Sequence, residues 1–469
     1  MSLNDVKIKI ADGGLGISSA GGDGIHVKIG VSKAEKNKLI VINSSMKVNE
    51  IKDVLGHSPL ADAVMDSIGT GASTIYCIPT QGTEAGSIGD VIHSGTGEAT
   101  YTVSGTPKNS YEIIIEVLKD GGLNGATYRY SIDGGNSFTG EKTIPTDGEV
   151  TIENTGIKIT FTEAADPENS FKIGDVYSFK TTAPKMSNQE VLDAISTTED
   201  AVFEFEYIHI VGESDAPMWA AVATQADILF STYFKPVFII CEARNKKKEE
   251  SISEYVESLI TARNSVNNYR LQVVAARAEI VSLDGKIRNS NGAGDVAGLY
   301  SKSNVSQSIG EVSEFPLNNV IKLLPEGIEP YISILDQAKF VTFRRYIGLE
   351  GFYVTNGRMF APDGSDYQYA ETVRTINKAV REIRKQALFN IQMQLDPINI
   401  EGSINLLKEF LQIPLENMTD DKEIASGEVI IPKGQNVLGT SKLKVKVKAV
   451  PMAIMREIEI EFGMENPFK

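Results

Sequence analysis

Three short stretches carry residue types at spacings that could support chemistry. GGLGISS (Gly14, Gly16 and Ser19) follows the alternating run VKIKI and approximates a dinucleotide loop, in which glycine backbone and a helix N-terminus hold a pyrophosphate. GGDG stands where that helix has to begin, so the stretch GGLGISSAGGDG reads as a flexible linker. NGAGDVAG (Gly292, Gly294 and Gly298) does precede a helical pattern, but its spacing is wrong and it lacks the Lys-Ser/Thr of a phosphate loop. It reads as a plain turn with Asp295 near a helix start. SIDGGNSF (Ser131, Asp133, Gly135, Ser137 and Phe138) has the form of an Asp-box, in which Asp and Ser brace a hairpin turn; a propeller would repeat it in every blade, and it occurs once.

Nothing else in the chain adds a reaction centre. His26, His57, His93 and His209 stand apart with no HExxH, and Cys77 and Cys241 lack a CxxC spacing, which argues against a zinc site and a disulfide framework. No carboxylate pair, Ser/His/Asp set or GxSxG elbow stands out. The sequence therefore predicts no catalytic residue, metal or cofactor, and no enzyme.

The informative chemistry is charge and alternation. Arg374, Lys378, Arg381 and Lys385 recur four, three and four residues apart, so a helix over about Tyr367–Leu395 stacks them in one stripe that Arg384 widens. Val373, Ile376, Val380, Ile383 and Ala387 form a second stripe for the core. In a chain of net charge −16 a basic stripe is either a docking surface for an acidic partner or a solvated face balanced by Glu371 and Glu382.

The ends alternate with period two. Val6, Ile8 and Ile10 oppose Lys7 and Lys9; Leu443, Val445 and Val447 oppose Lys444, Lys446 and Lys448; Ile458, Ile460 and Phe462 oppose Glu457, Glu459 and Glu461. KLKVKVKAV and EIEIEFG could pair as a local hairpin, with Lys and Glu rows attracting across the ladder. Alternatively, the terminal strands, basic at one end and acidic at the other, augment the sheets of neighbouring subunits.

The elements that must position these residues follow from length and texture. At 469 residues the chain predicts two or three domains. The acidic balance argues against nucleic acid and anionic membranes as partners. MSLNDVKIKIADGG lacks a signal peptide's form and no apolar run is long enough to span a bilayer, so a soluble cytoplasmic product is expected. The expected fold is mixed α/β: an N-terminal arm and linker (1–25), a first part of the core (26–94), an inserted antiparallel β-sandwich (95–182), a core whose strands and helices alternate into a parallel sheet (183–440), and C-terminal strands with an arm (441–469).

The stretch GFYVTNGRMFAPDGSDYQYAETVRTINKAVREIRKQAL, with its turn TNGRM (Thr355–Met359) and segment APDGSDYQ, and the closing LKVKVKAVPMAIMREIEIEF resemble the tail sheath proteins of contractile phages and injection machines. The resemblance extends coarsely over Asn188 to Phe462 and the first residues. It implies a virion or particle structural protein that forms stacked hexameric rings around a tail tube protein and meets baseplate and terminator proteins. It further implies that Val6, Ile8 and Ile10 and Ile458, Ile460 and Phe462 link subunits, that contraction drives the tube through an envelope, and that assembly occurs in the host cytoplasm. On that reading Arg374, Lys378, Arg381 and Lys385 face the tube. A surface-layer or adhesin-like protein and an α/β enzyme with a β accessory domain are the alternatives.

Overall fold

The computed structural model describes residues 22–396 and 398–466. A six-stranded sheet lies at the centre, with β1 (His26–Val31), β2 (Ile40–Asn43), β3 (Thr74–Thr80), β4 (Tyr207–Ser214), β5 (Phe238–Ala243) and β6 (Leu271–Val274) in the order β6-β5-β4-β1-β3-β2. All run parallel except β2, which returns antiparallel on β3. Parallel strands are covered on both faces, and β5 accordingly is buried at every position of FIICEA. The mixed α/β class expected from the alternation is the class observed.

The helices of eight residues or more are α1 (Val48–Leu55), α2 (Pro59–Thr70), α3 (Asn188–Ser196), α4 (Ala216–Ser231), α5 (Ile252–Asn264), α6 (Ala293–Lys302), α7 (Ala370–Leu388) and α8 (Ile400–Asp420). Ser58, Ser187, Asp215 and Ser251 start four of them by accepting a backbone N–H of the first turn. Helices α3 and α4 pack on the face carrying Val27 and Ile29, and α2 packs on the opposite face, where Leu60 meets Gly30.

NGAGDVAG is not a plain turn. Gly294 and Gly298 lie inside α6, and a Cβ at Gly298 would stand 1.9 Å from Thr70 Oγ1 and 2.3 Å from the Ser67 carbonyl of α2. The four-residue spacing puts both glycines on one helix face, so two backbones approach more closely than side chains would allow. Ser67 Oγ then donates to the Gly294 carbonyl at 2.5 Å.

Behind that contact the sheet face is charged. Lys28 Nζ lies 2.7 Å from His209 Nδ1, and His209 Nε2 lies 3.1 Å from Glu242 Oε1. Burial and the Lys28 charge hold the imidazole well below its usual pKa, so neutral His209 accepts from Lys28 and donates to Glu242. Asp66 on α2 pairs with Arg288, and Asp295 Oδ1 on α6 accepts from Asn319 Nδ2 at 2.9 Å. Burial lowers Lys28 to about 8 and lifts Glu242 to about 7; burial, then the Asp66 charge, lifts Asp295 to about 8.

Between Ile92 and Lys180 the chain builds a five-stranded and a three-stranded antiparallel sheet around one separate core that includes Ile115, Tyr128, Ile159, Phe161 and Tyr177. Strand Glu112–Lys119 alternates buried and half-buried residues as EIIIEVLK requires. The SIDGGNSF side chains brace a turn: Asp133 Oδ1 accepts from Ser131 Oγ at 2.6 Å and from the Ser137 N–H at 2.9 Å.

The C-terminal unit joins α7 and α8 to a hairpin of β7 (Ile424–Ile430) and β8 (Lys446–Pro451) over Ala379, Leu411, Leu415, Met418, Ile424 and Val429. The local-hairpin reading of the terminal runs fails: KVKAVP pairs antiparallel with IASGEVI, Val447 opposite Val429, and not with EIEIEF. Helix α7 is also shorter than the charge pattern suggested, ending at Leu388 before the left-handed Gln392.

The buried carboxyls make stability fall as pH rises. Glu242 and Asp295 have folded pKa values above their unfolded ones, so their stabilisation is complete below about pH 4 and is lost as pH climbs through 7 and 8. Lys28, depressed from 10.5, acts oppositely, but only between about 8 and 10.5. Buried His26 and His209, held below 6.5, also act oppositely, up to about pH 6.5. Urea midpoints should therefore decline from pH 6.5 to pH 8, and Asp295→Asn should flatten that decline; an unaltered slope in the variant would remove this carboxyl from the account.

Candidate assembly interface

The basic stripe of α7 does not face outward. Arg374 is 0% exposed: Nε donates to Glu206 Oε1 at 2.5 Å, Nη2 to Glu206 Oε2 at 3.1 Å, and further N–H groups reach the Tyr300 carbonyl and Ser303 Oγ at the end of α6. Glu206, also 0% exposed, accepts the Gly24 N–H at 2.7 Å with the same carboxylate. Arg381 is buried against Asp23. Lys378 Nζ bridges Asp23 Oδ2 at 2.8 Å and Glu423 Oε1 at 2.5 Å. Lys385, half-buried, pairs with Glu204 at 2.7 Å and Glu382 at 3.0 Å.

This corrects the tube-facing reading for Arg374 and Arg381, whose side chains lie inside the subunit. Helical spacing places four cations on one face, but it cannot say what the fold sets opposite. The carboxylates come from Asp23, Glu204, Glu206 and Glu423, all remote in sequence from the helix.

The partners lie where the chain enters and leaves the body. Gly22 (φ 80°) and Gly24 (φ 72°) need left-handed backbone, and a Cβ on them would press on Glu204 and on the Ser301 carbonyl at 2.8 Å. The end of the glycine stretch is thus a docked root, with Asp23 fixed between two glycines. Val6, Ile8 and Ile10 lie outside the described residues. Glu423 immediately precedes β7, so Lys378 ties the root of the N-terminal segment to the root of the hairpin.

Beyond Pro451 the described chain carries no regular structure. Ile458, Ile460 and Phe462 are 66%, 80% and 83% exposed, although their alternation calls for a half-buried strand. β7 and β8 pair only with each other among the described residues, which leaves two open edges. The last contact before this segment is Arg456, bonded to Glu371 and stacked on Tyr369. Glu206, Asp23, Glu423 and Arg456 escaped the sequence reading; the available signals were a carboxylate set among glycines and a lone cation between PMAIM and EIEIEF.

Removing Arg374 alone strands a buried carboxylate. Arg374→Met should destabilise the fold by about 3–5 kcal/mol in chemical denaturation, and adding Glu206→Gln should recover over half of the loss. A single-variant cost below about 1 kcal/mol would contradict the buried pair.

Comparison with family models matches residues 3–358 to the DUF2586 N-terminal domain and residues 366–469 to the DUF2586 C-terminal domain. Comparison of the sequence with curated proteins gives no match. Among solved structures the fold is similar to a sheath tail protein from Desulfitobacterium hafniense, at 13% identity over 96% of this chain and 100% of that one, with TM-score 0.50. It is similar to the anti-feeding prophage helical sheath in its contracted state, at 12% identity over 99% and 100% of the two chains (TM-score 0.53). The sheath of the extracellular contractile injection system PVC, also contracted, gives 13% identity over 100% and 99% (TM-score 0.52). These likenesses extend over nearly the whole of both chains and establish a shared fold, that of contractile tail sheaths. With both of its domain models matched in order along nearly the full length, the chain belongs to the DUF2586 family.

Proposed function

We propose that this chain is a structural sheath subunit that polymerises around a tail tube and contracts to drive the tube through a target envelope. The observation that carries the reading is the exposed alternating run Ile458–Phe462, which leaves a sheath-type body without a partner strand in its own described chain. Such a strand is completed by a neighbour: main-chain pairing supplies affinity and side-chain alternation sets register. The open edges of the β7–β8 hairpin are the receiving sites, and Val6, Ile8 and Ile10 supply the second exchanged strand, with Lys7 and Lys9 complementing Glu457, Glu459 and Glu461. Stacked hexameric rings, a tube protein inside them, and baseplate and terminator proteins at the ends complete the proposed particle, a phage tail or injection device assembled in the host cytoplasm.

The role is mechanical and needs no reaction centre. A lattice that contracts requires links that persist and interfaces that repack between discrete arrangements. Of the basic stripe, Lys385 with the exposed Arg384 retains the proposed tube contact through reversible ion pairs of about 0–1 kcal/mol each. No described helix is long and apolar enough to cross a membrane.

The full chain, viewed by negative-stain electron microscopy, should form hollow cylinders or stacked rings, and a version ending at Arg456 should stay folded and dispersed. Cylinders from the truncated chain would show that the terminal strand is not the link. Unfolding of the truncated chain would place EIEIEF in its own subunit's core.

A further inference from the structure

The turn TNGRM, the start of α7 and the Arg456 side chain meet at one point. Arg456 Nη1 donates to Asn356 Oδ1 at 2.8 Å, and Nη2 donates to the buried Glu371 carboxylate. Its guanidinium carbon sits 3.5 Å from the Tyr369 ring centroid. Every wall of this cradle is itself held. Asp336 accepts from Asn356 Nδ2 at 2.9 Å and from Arg358 Nη2 at 2.9 Å, and Arg358 Nη1 donates to the Tyr369 hydroxyl at 2.8 Å. The Gly357 carbonyl accepts the Ala370 N–H at 2.7 Å, which fastens the turn to the first residue of α7. A site so braced leaves only the Arg456 side chain to be ordered when it docks.

Two residues later the side chains turn to solvent, Ile458 being already 66% exposed. The change from a docked to an exposed side chain is therefore abrupt. On the same helix, Lys378 and Arg381 grip Asp23, where the N-terminal segment enters the body. Glu371 and Lys378 are seven residues apart, two turns of one helix or about 10 Å.

We propose that Arg456 is the pivot at which the C-terminal segment passes from its own subunit to the neighbouring one, and that α7 is a rigid mount fixing that exit relative to the N-terminal root. The proposal rests on the strand-exchange reading above and adds to it which residues aim the exchanged strand. TNGRM thereby has a stated role: Asn356 and the Arg358-braced Tyr369 form the seat of the pivot. Rearrangement of a lattice then bends the chain beyond Arg456, while the body from Gly22 to Arg456 moves as one piece.

Arg456 is also a trypsin site, so the pin can be read directly. In brief digestion followed by mass spectrometry, cleavage after Arg456, measured against the exposed Lys444, should rise about tenfold in Glu371→Gln, as expected when one charge-assisted hydrogen bond guards the open state. Asn356→Ala, which leaves the buried carboxylate in place, should raise it by a smaller factor and serves if Glu371→Gln does not fold. Under the microscope the wild-type chain should give regular cylinders and the two variants irregular or fewer ones. Unchanged cleavage in both variants overturns the pivot, and so does increased cleavage with cylinders indistinguishable from wild type. Failure of the wild-type chain to form any polymer, with or without a co-expressed tube protein, overturns instead the strand-exchange reading on which the pivot rests.

Discussion

The bidentate pair of Arg374 with Glu206 is the contact on which the arrangement of this subunit depends. Neither side chain touches solvent, and each does more than neutralise the other. Glu206 stands at the head of β4 and also accepts the Gly24 N–H, so one carboxylate fixes the central sheet and the entry of the N-terminal segment. Arg374 spends its remaining donors on the Tyr300 carbonyl and Ser303, at the C-terminal end of α6, where free carbonyls and the helix dipole favour a cation. Burying two charges costs several kcal/mol per ion, and the cost is offset only where geometry and additional hydrogen bonds are this complete.

From that anchor the rest of α7 works outward along a gradient of exposure. Arg374 is sealed, Lys378 and Arg381 are nearly so, and Lys385 is half open to water. The buried end provides permanence, and the exposed end provides pairs weak enough to exchange. Glu371, at the other end of the helix, holds Arg456 and with it the start of the exposed C-terminal segment. One helix thus joins the sheet, the hairpin and both chain exits, which is the geometry a subunit needs if force applied to a terminal strand is to reach its whole body.

The inserted β unit stands apart from this logic. It has its own core and reaches the body through contacts such as Asn109 with Asp62 at 2.7 Å and Asn289 with Glu112 at 3.0 Å. Its turn brace at Asp133 serves only its own hairpin. Its aromatic cluster, with Tyr177 stacked 4.4 Å from His93, belongs to that separate core.

Much of the architecture was legible in the residues because it rests on local periodicity. The capped helices, the parallel strands alternating with helices, the short alternating strands between Ile92 and Lys180, and the terminal alternation all follow from spacing within a few residues. Spacing also gave the one-sided placement of Arg374, Lys378, Arg381 and Lys385, and the half-buried character demanded by Ile458, Ile460 and Phe462. Only tertiary structure decided what those faces meet. Opposite the cations stand carboxylates from positions 23, 204, 206 and 423, and opposite β8 stands β7 instead of the final strand. Gly294 and Gly298 looked like a turn because glycine's freedom is a local property, whereas their use, a close helix crossing, exists only once α2 is in place. The physical reason is common to all three cases: periodicity fixes the direction a side chain points, while the partner that satisfies its charge, fills its space or completes its strand is brought there by chain closure beyond the reach of local spacing.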